Sequence, residues 1–310
     1  MDTFPAGASY GRSIRVNENA VHIRRTPALS PGAEPALYVH GHGGSSTNWA
    51  DLADLLSRRL DGVAVDLPGF GRSEPAARYG VAYTADALAG VVSAVGGPVH
   101  LVGNSYGGTV AMHLAARRPE LVRTLTLISP AVPFLNPRWS SHLSIGGVKL
   151  FLGGAKALQR MVAMADPEEL VAQSLARCCA NPGAIPWTRV QAEIDELRQA
   201  SALPWRPIAE ARSYRGLIFE LLRGHLPGRA SLRRLARQIK MPTLVVWGEQ
   251  DRILNVKLAG VLARLIPHAQ LAVLEGVGHL PHLEAPHRVA NVLSTFLSQL
   301  SGRLSPAVAD

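Results

Sequence analysis

The sequence predicts an α/β protein: a doubly wound, mostly parallel, eight-stranded sheet interrupted by a helical insertion. Three observations carry this. Short apolar, β-branched runs alternate with amphipathic helical patterns along most of the chain. The later runs are continuously apolar, as strands covered on both faces are. The alternation stops after Ser129 and resumes at Met241, with only helical patterns broken by Pro and Gly between them.

The elements follow in order. "SIRV" (13–16) and "VHIRR" (21–25) have no helix between them and predict an antiparallel hairpin at one edge. "ALYVHG" (36–41) and "GVAVDL" (62–67) flank a helix over 47–60. A helix over 83–95 leads to the strand "VHLVGN" (99–104), a helix over 106–118 and the strand "RTLTLIS" (123–129). After the insertion come "PTLVVWG" (242–248), a helix over 256–266, "AQLAVLEG" (269–276) and a helix over 286–300. Residues 1–130 and 241–300 thus form the core and 131–240 a cap, with helices expected at 140–164, 167–180, 187–200, 207–224 and 229–239. Residues 301–310 read as a flexible tail.

Of the 310 residues, 47% are apolar and 18% charged, which suits one large globular core. No apolar run reaches the roughly 20 residues of a membrane span, and no secretory signal pattern opens the chain. Cys178 and Cys179 are the only cysteines, which points to a reducing, cytoplasmic compartment. The net charge of +9 is concentrated: residues 131–240 hold 16 Lys/Arg against 8 Asp/Glu. No nucleic-acid-binding motif or zinc-ligand spacing accompanies it, so nucleic acid is not an expected partner. Lys149, Lys156 and Arg160 recur at helical spacing within 144–165, a pattern that allows peripheral contact with an anionic membrane.

The chemistry centres on "GNSYGG" (103–108), a G-x-S-x-G turn between a strand and a helix. Such a turn lifts the Ser105 hydroxyl clear of the sheet and needs small neighbours where backbones pass closely. By itself the motif equally fits a glycine-rich connection with an incidental serine. A nucleophilic serine needs a base, and the base an orienting carboxylate. Asp251 in "GEQD" and His279 in "GHLPHLEAP" each follow a strand, at the sheet edge where open α/β sheets place their sites.

With "HGHGGSSTNW" (40–49) and "DLPGFGRSE" (66–74), these motifs stand in the order of the α/β-hydrolase family, which the chain resembles over about 36–130 and 241–300. The resemblance implies Ser105 as nucleophile, His279 as general base and acid, and Asp251 as its orienting partner. It implies an oxyanion hole from the backbone N–H groups of His42 and Tyr106, and no metal or organic cofactor. His282, His287 and Glu249 are local competitors, but H-x4-E-x-P fits only His279 with Glu284 and Pro286. Asp66 and His40 read as structural. Relatives that open epoxides carry aspartate at the Ser105 position, so serine favours acyl transfer.

The expected activity is hydrolysis of a carboxylic ester with an apolar acyl part through an acyl-enzyme. Phe134, Leu135, Trp139, Phe151, Met161, Met164, Trp187 and Trp205 are candidates for an apolar acyl pocket. An alternative is a carbon–carbon hydrolase of aromatic ring-cleavage products, with a ketone substrate whose acid a cap arginine would hold. Those relatives favour a large aromatic after the histidine, where this chain has Leu280. A second alternative is a ligand-binding receptor on the same fold.

Overall fold

The computed structural model describes residues 10–16, 18–132, 166–223 and 232–304. Among them, eight strands form one sheet in the order β1-β2-β4-β3-β5-β6-β7-β8. These are β1 (Tyr10–Val16), β2 (Asn19–Thr26), β3 (Glu34–Val39), β4 (Leu60–Val65), β5 (Val99–Asn104), β6 (Val122–Ile128), β7 (Thr243–Gly248) and β8 (Ala269–Leu274). β1 pairs antiparallel with β2, and β2 antiparallel with β4; every other pairing is parallel. The doubly wound, mostly parallel sheet read from the sequence is therefore the observed fold.

The helices outside the segment between β6 and β7 are α1 (Ala50–Leu56), α2 (Val81–Ala94), α3 (Ser105–Arg117), α8 (Lys257–Leu265) and, after β8, α9 (Pro281–Glu284) and α10 (Pro286–Leu304). Those between β6 and β7 are α4 (Pro167–Cys178), α5 (Trp187–Ser201), α6 (Arg206–Arg223) and α7 (Leu232–Arg237). The expected helix at 140–164, the basic stretch 144–165 and the residues Phe134, Leu135, Trp139, Phe151, Met161 and Met164 lie outside the described residues, as does most of the expected tail.

Alternation along the strands divides the core. Leu37 and Val39 of β3 and Val245 of β7 face one cluster with α2, α3 and α8. Tyr38, Leu244 and Val246 face the other, with α1 and α10. β5 and β7 are buried along their whole length. β8 departs from the expectation of two covered faces: Leu271 and Val273 are 43% and 45% exposed. It is the edge strand, and on that face only Ala269 packs into the core.

Two boundaries moved for local reasons. The helix expected from 47 begins as a 3-10 turn at Ser46–Trp49, where Ser45 and Asn48 form a reciprocal cap, and ends at Leu56. β3 stops at Val39 because the next residue, His40, turns its ring inward to accept the Leu67 N–H at 3.0 Å. Among the described residues, no helix is long and apolar enough to cross a membrane.

Candidate active site

The loops after β3 and β8, the carboxyl end of β5 and the helices inserted after β6 line a cavity of about 370 Å³. Ser105 stands at its floor as the first residue of α3. Its φ is +49°, in the left-handed region that a non-glycine residue occupies only under constraint. The constraint is the tight passage of neighbouring backbone. A Cβ on Gly103 would lie 2.6 Å from the Gly107 carbonyl oxygen, and one on Gly107 would collide with the His40 and Val39 carbonyls. Those two glycines are what let strand, turn and helix close up beneath the serine.

His279 lines the same cavity. Its Nδ1 lies 2.8 Å from Asp251 Oδ2, while Asp251 Oδ1 accepts the Ile253 and Leu254 N–H groups, both at 2.8 Å. An imidazole that donates Nδ1–H to this carboxylate keeps an Nε2 lone pair for a second partner. Of the competing residues, His282 also lines the cavity but is engaged otherwise. His282 stacks on Trp49 with ring centroids 4.3 Å apart, and burial, then the His279 charge, pushes it down to about 3. Glu249 and His287 are exposed.

The loop that carries His279 is fastened from several sides. Its N–H donates to the Cys178 carbonyl at 2.6 Å. Asn104 Nδ2, next to the serine, donates to the His279 carbonyl at 3.3 Å. Glu284 accepts the Gly278 N–H on one carboxylate oxygen (2.7 Å) and the Asn181 N–H on the other (2.6 Å). Glu284 was legible as a motif position; its partners in the inserted segment were not.

His42 and Tyr106, the expected oxyanion donors, meet through their rings, edge to face with centroids 6.2 Å apart. Tyr106 is in the first turn of α3, where backbone N–H groups have no intrahelical acceptor. The loop before His42 runs against the serine, since a Cβ on Gly41 would sit 3.3 Å from Ser105 Cβ. The His42 ring is turned away, its Nε2 3.0 Å from the Glu210 carbonyl and 3.1 Å from Ser213 Oγ, both on α6. Arg206 donates to the Gly43 carbonyl at 3.2 Å and to Glu210 at 2.7 Å. Thus α6 holds the His42 loop.

His40 and Asp66 are framework groups. Burial pushes the His40 ring down to about 4, so it stays neutral, with Nδ1 donating to the Gly41 carbonyl at 2.7 Å. Burial would raise Asp66, but hydrogen bonds from His22 and the Arg72 and Ser46 N–H groups outweigh it and hold it at about 2.

The cavity has two unlike walls. Leu170, Val171, Leu175, Leu197, Leu280 and Leu283 make one apolar. The polar part of the lining includes Asn48, Arg177, Glu193, Glu196, Arg206 and Glu210. Glu193 accepts from Asn48 Nδ2 at 2.8 Å, and burial pushes it up to about 7. Glu196 is 7% exposed, and its Oε1 has no hydrogen-bond partner. Of the tryptophans expected in an acyl pocket, the two described are not there: Trp187 is 66% exposed in the first turn of α5, and neither it nor Trp205 lines the cavity. Leucines take their place.

Residues 36–292 match the model of the alpha/beta hydrolase family. The chain belongs to that family. Monoacylglycerol lipase abhd6-B of Xenopus laevis is 32% identical to it over 276 residues, covering 87% of this chain and 77% of the relative. The crystal structure of a membrane phospholipase A, a bacterial virulence factor, superposes with a TM-score of 0.72 at 28% identity, over 97% of this chain and 88% of that one. The 2-hydroxy-6-oxo-6-phenylhexa-2,4-dienoate hydrolase of Rhodococcus sp. strain RHA1 shares the fold with a TM-score of 0.72 at 20% identity, over 94% of this chain and 99% of that one. This alpha/beta hydrolase thus has lipase-type relatives.

Proposed function

We propose that this hydrolase cleaves a monoester with an apolar acyl chain and a hydroxyl-bearing alcohol, using Ser105, His279 and Asp251. The observation that carries the reading is Ser105, held at positive φ on a helix N-terminus, sharing a cavity with a histidine already bonded to a carboxylate.

In the reaction, His279 Nε2 takes the Ser105 Oγ proton as Oγ bonds to the ester carbonyl carbon. The oxygen becomes an oxyanion facing the Tyr106 and His42 N–H groups, each such donor contributing about 3 kcal/mol to the transition state. The carbon–oxygen bond to the alcohol breaks, and the alcohol leaves with the proton from His279. Water then attacks the acyl-enzyme, giving up a proton to His279, and the free acid departs as Ser105 recovers it.

The two walls support the substrate class. The leucine wall, from the inserted helices that we read as a cap over residues 131–240, suits an acyl chain. Glu193 and Glu196 offer acceptors to alcohol hydroxyls, and the monoacylglycerol lipase named among the relatives is consistent with that chemistry. Arg206 is committed to Glu210 and Gly43, whereas Arg177 also lines the cavity and is the arginine that the carbon–carbon alternative would use for a substrate acid.

The test combines labelling and turnover. A fluorophosphonate probe labels wild type and not Ser105→Ala, and 1-acylglycerols are hydrolysed. Glu196→Ala raises KM for the glycerol ester about tenfold, as loss of one hydrogen bond to a charged group does, and leaves p-nitrophenyl esters unchanged. Labelling without turnover of any ester supports the receptor reading. Activity confined to a vinylogous diketo acid refutes the ester reading.

A further inference from the structure

The outward face of α6 is unlike an ordinary solvated helix face. Ile208, Arg212, Arg215, Phe219, Leu222 and Arg223 recur at i, i+4, i+7, i+11 and i+14/15, so they form one stripe. The three apolar members are 42%, 60% and 56% exposed in chain order. The opposite face is buried through Tyr214, Leu217 and Ile218 and carries the groups that hold the His42 loop. The helix is therefore fully partnered on its inner side, and the outer stripe is not required for its packing.

The charges on the stripe are uncompensated. Arg212, Arg215 and Arg223 share a surface groove with Arg78, beside Tyr79. None of the four forms an ion pair with a described residue; Arg223 instead lies 5.5 Å over the Phe219 ring. The carboxylate of the groove, Glu220, is turned inward, 3.2 Å from His113. The stripe thus offers cations for an anion and large apolar side chains for a non-aqueous phase. A nucleic acid or a soluble anion uses only the first; a bilayer surface with anionic headgroups uses both.

We propose that the outer face of α6, with Arg78, docks this hydrolase on anionic lipid bilayers. The arginines sit among the headgroups, and Ile208, Phe219 and Leu222 reach the acyl boundary. The inference goes beyond the esterase reading and does not depend on it. It rests on α6 and not on the basic stretch 144–165, which lies outside the described residues.

Vesicle flotation of the full chain tests it. The protein floats with phosphatidylcholine vesicles containing phosphatidylglycerol, much less with phosphatidylcholine alone, and less as salt rises. Replacing Arg212, Arg215 and Arg223 together by Gln weakens binding about a hundredfold, from the usual contribution of a basic residue near such a surface. Phe219→Ser with Leu222→Ser weakens it at least about tenfold. Turnover of a water-soluble p-nitrophenyl ester stays at the wild-type level in both, which controls for folding. Equal binding to both vesicle types, binding to neither, or wild-type binding by the triple Gln variant overturns the proposal. So does binding that a soluble polyanion abolishes and the serine substitutions leave intact.

Discussion

Glu284→Ala separates the two things its carboxylate does. The side chain is 7% exposed, and each oxygen accepts one backbone N–H, from Gly278 beside His279 and from Asn181 after α4. Hydrogen bonds to a charged acceptor contribute about 1.5–3 kcal/mol each, so losing both costs about 3–6 kcal/mol. That is a large part of a typical domain's stability. Glu284→Gln keeps one acceptor oxygen and turns an amide N–H₂ toward the other donor, so about half of the loss is expected, in a protein that still folds. Freed from its clamp, the Gly278–His279 peptide shifts, and an ångström of displacement of the base is expected to lower kcat about a hundredfold. The carboxylate touches no substrate, so KM should change little. Urea unfolding gives the stability difference, and p-nitrophenyl ester kinetics give the kcat and KM split. A Glu284→Ala protein within about 1 kcal/mol of wild type, with unchanged kcat, would refute the clamp.

Asp251→Asn keeps the shape but offers His279 the wrong hydrogen-bonding partner; kcat on a p-nitrophenyl ester should fall by up to about 10⁴ with KM nearly unchanged. Equal kcat in the variant would remove Asp251 from the mechanism. Glu193→Gln tests the buried acid of the polar wall. The folded protein holds this proton up to about 7 against an ordinary 4.5, so wild-type stability falls as pH rises through that interval. The variant should unfold at higher urea than wild type above about 7, by at most about 3 kcal/mol, and the gain should vanish below 4.5. A gain independent of pH would mean that Glu193 is not titrating in the fold.

Much of the molecule was readable from local pattern. Eight apolar runs became eight strands with ends within two residues, save the start of β1, which lies three residues earlier, because burial on both faces leaves an unbroken apolar signature. β8 misled, since an edge strand can be equally apolar while one face meets solvent. Ser105, Asp251 and His279 were legible because each follows a strand, and the strands' parallel order brings their carboxyl ends together. The polar wall was not. Glu193 and Glu196 sit in "EIDEL", which reads as a charged helix face, and only contact with Asn48, 145 residues away, turns it inward. Cys178 was equally hidden. Its role here is a backbone carbonyl, which no side-chain identity announces.

The grip of α6 on the His42 loop has a consequence for how such a protein can change. Arg206, Glu210 and Ser213 on one helix secure Gly43 and His42, so the segment shaping the cavity also sets the posture of a group we propose for the reaction. Transplanting residues 131–240 from a relative as an interchangeable module should therefore alter rate along with selectivity, unless the His42 loop travels with it. Selectivity and turnover are inherited here as one unit, and a chimera designed at that joint has two seams to match rather than one.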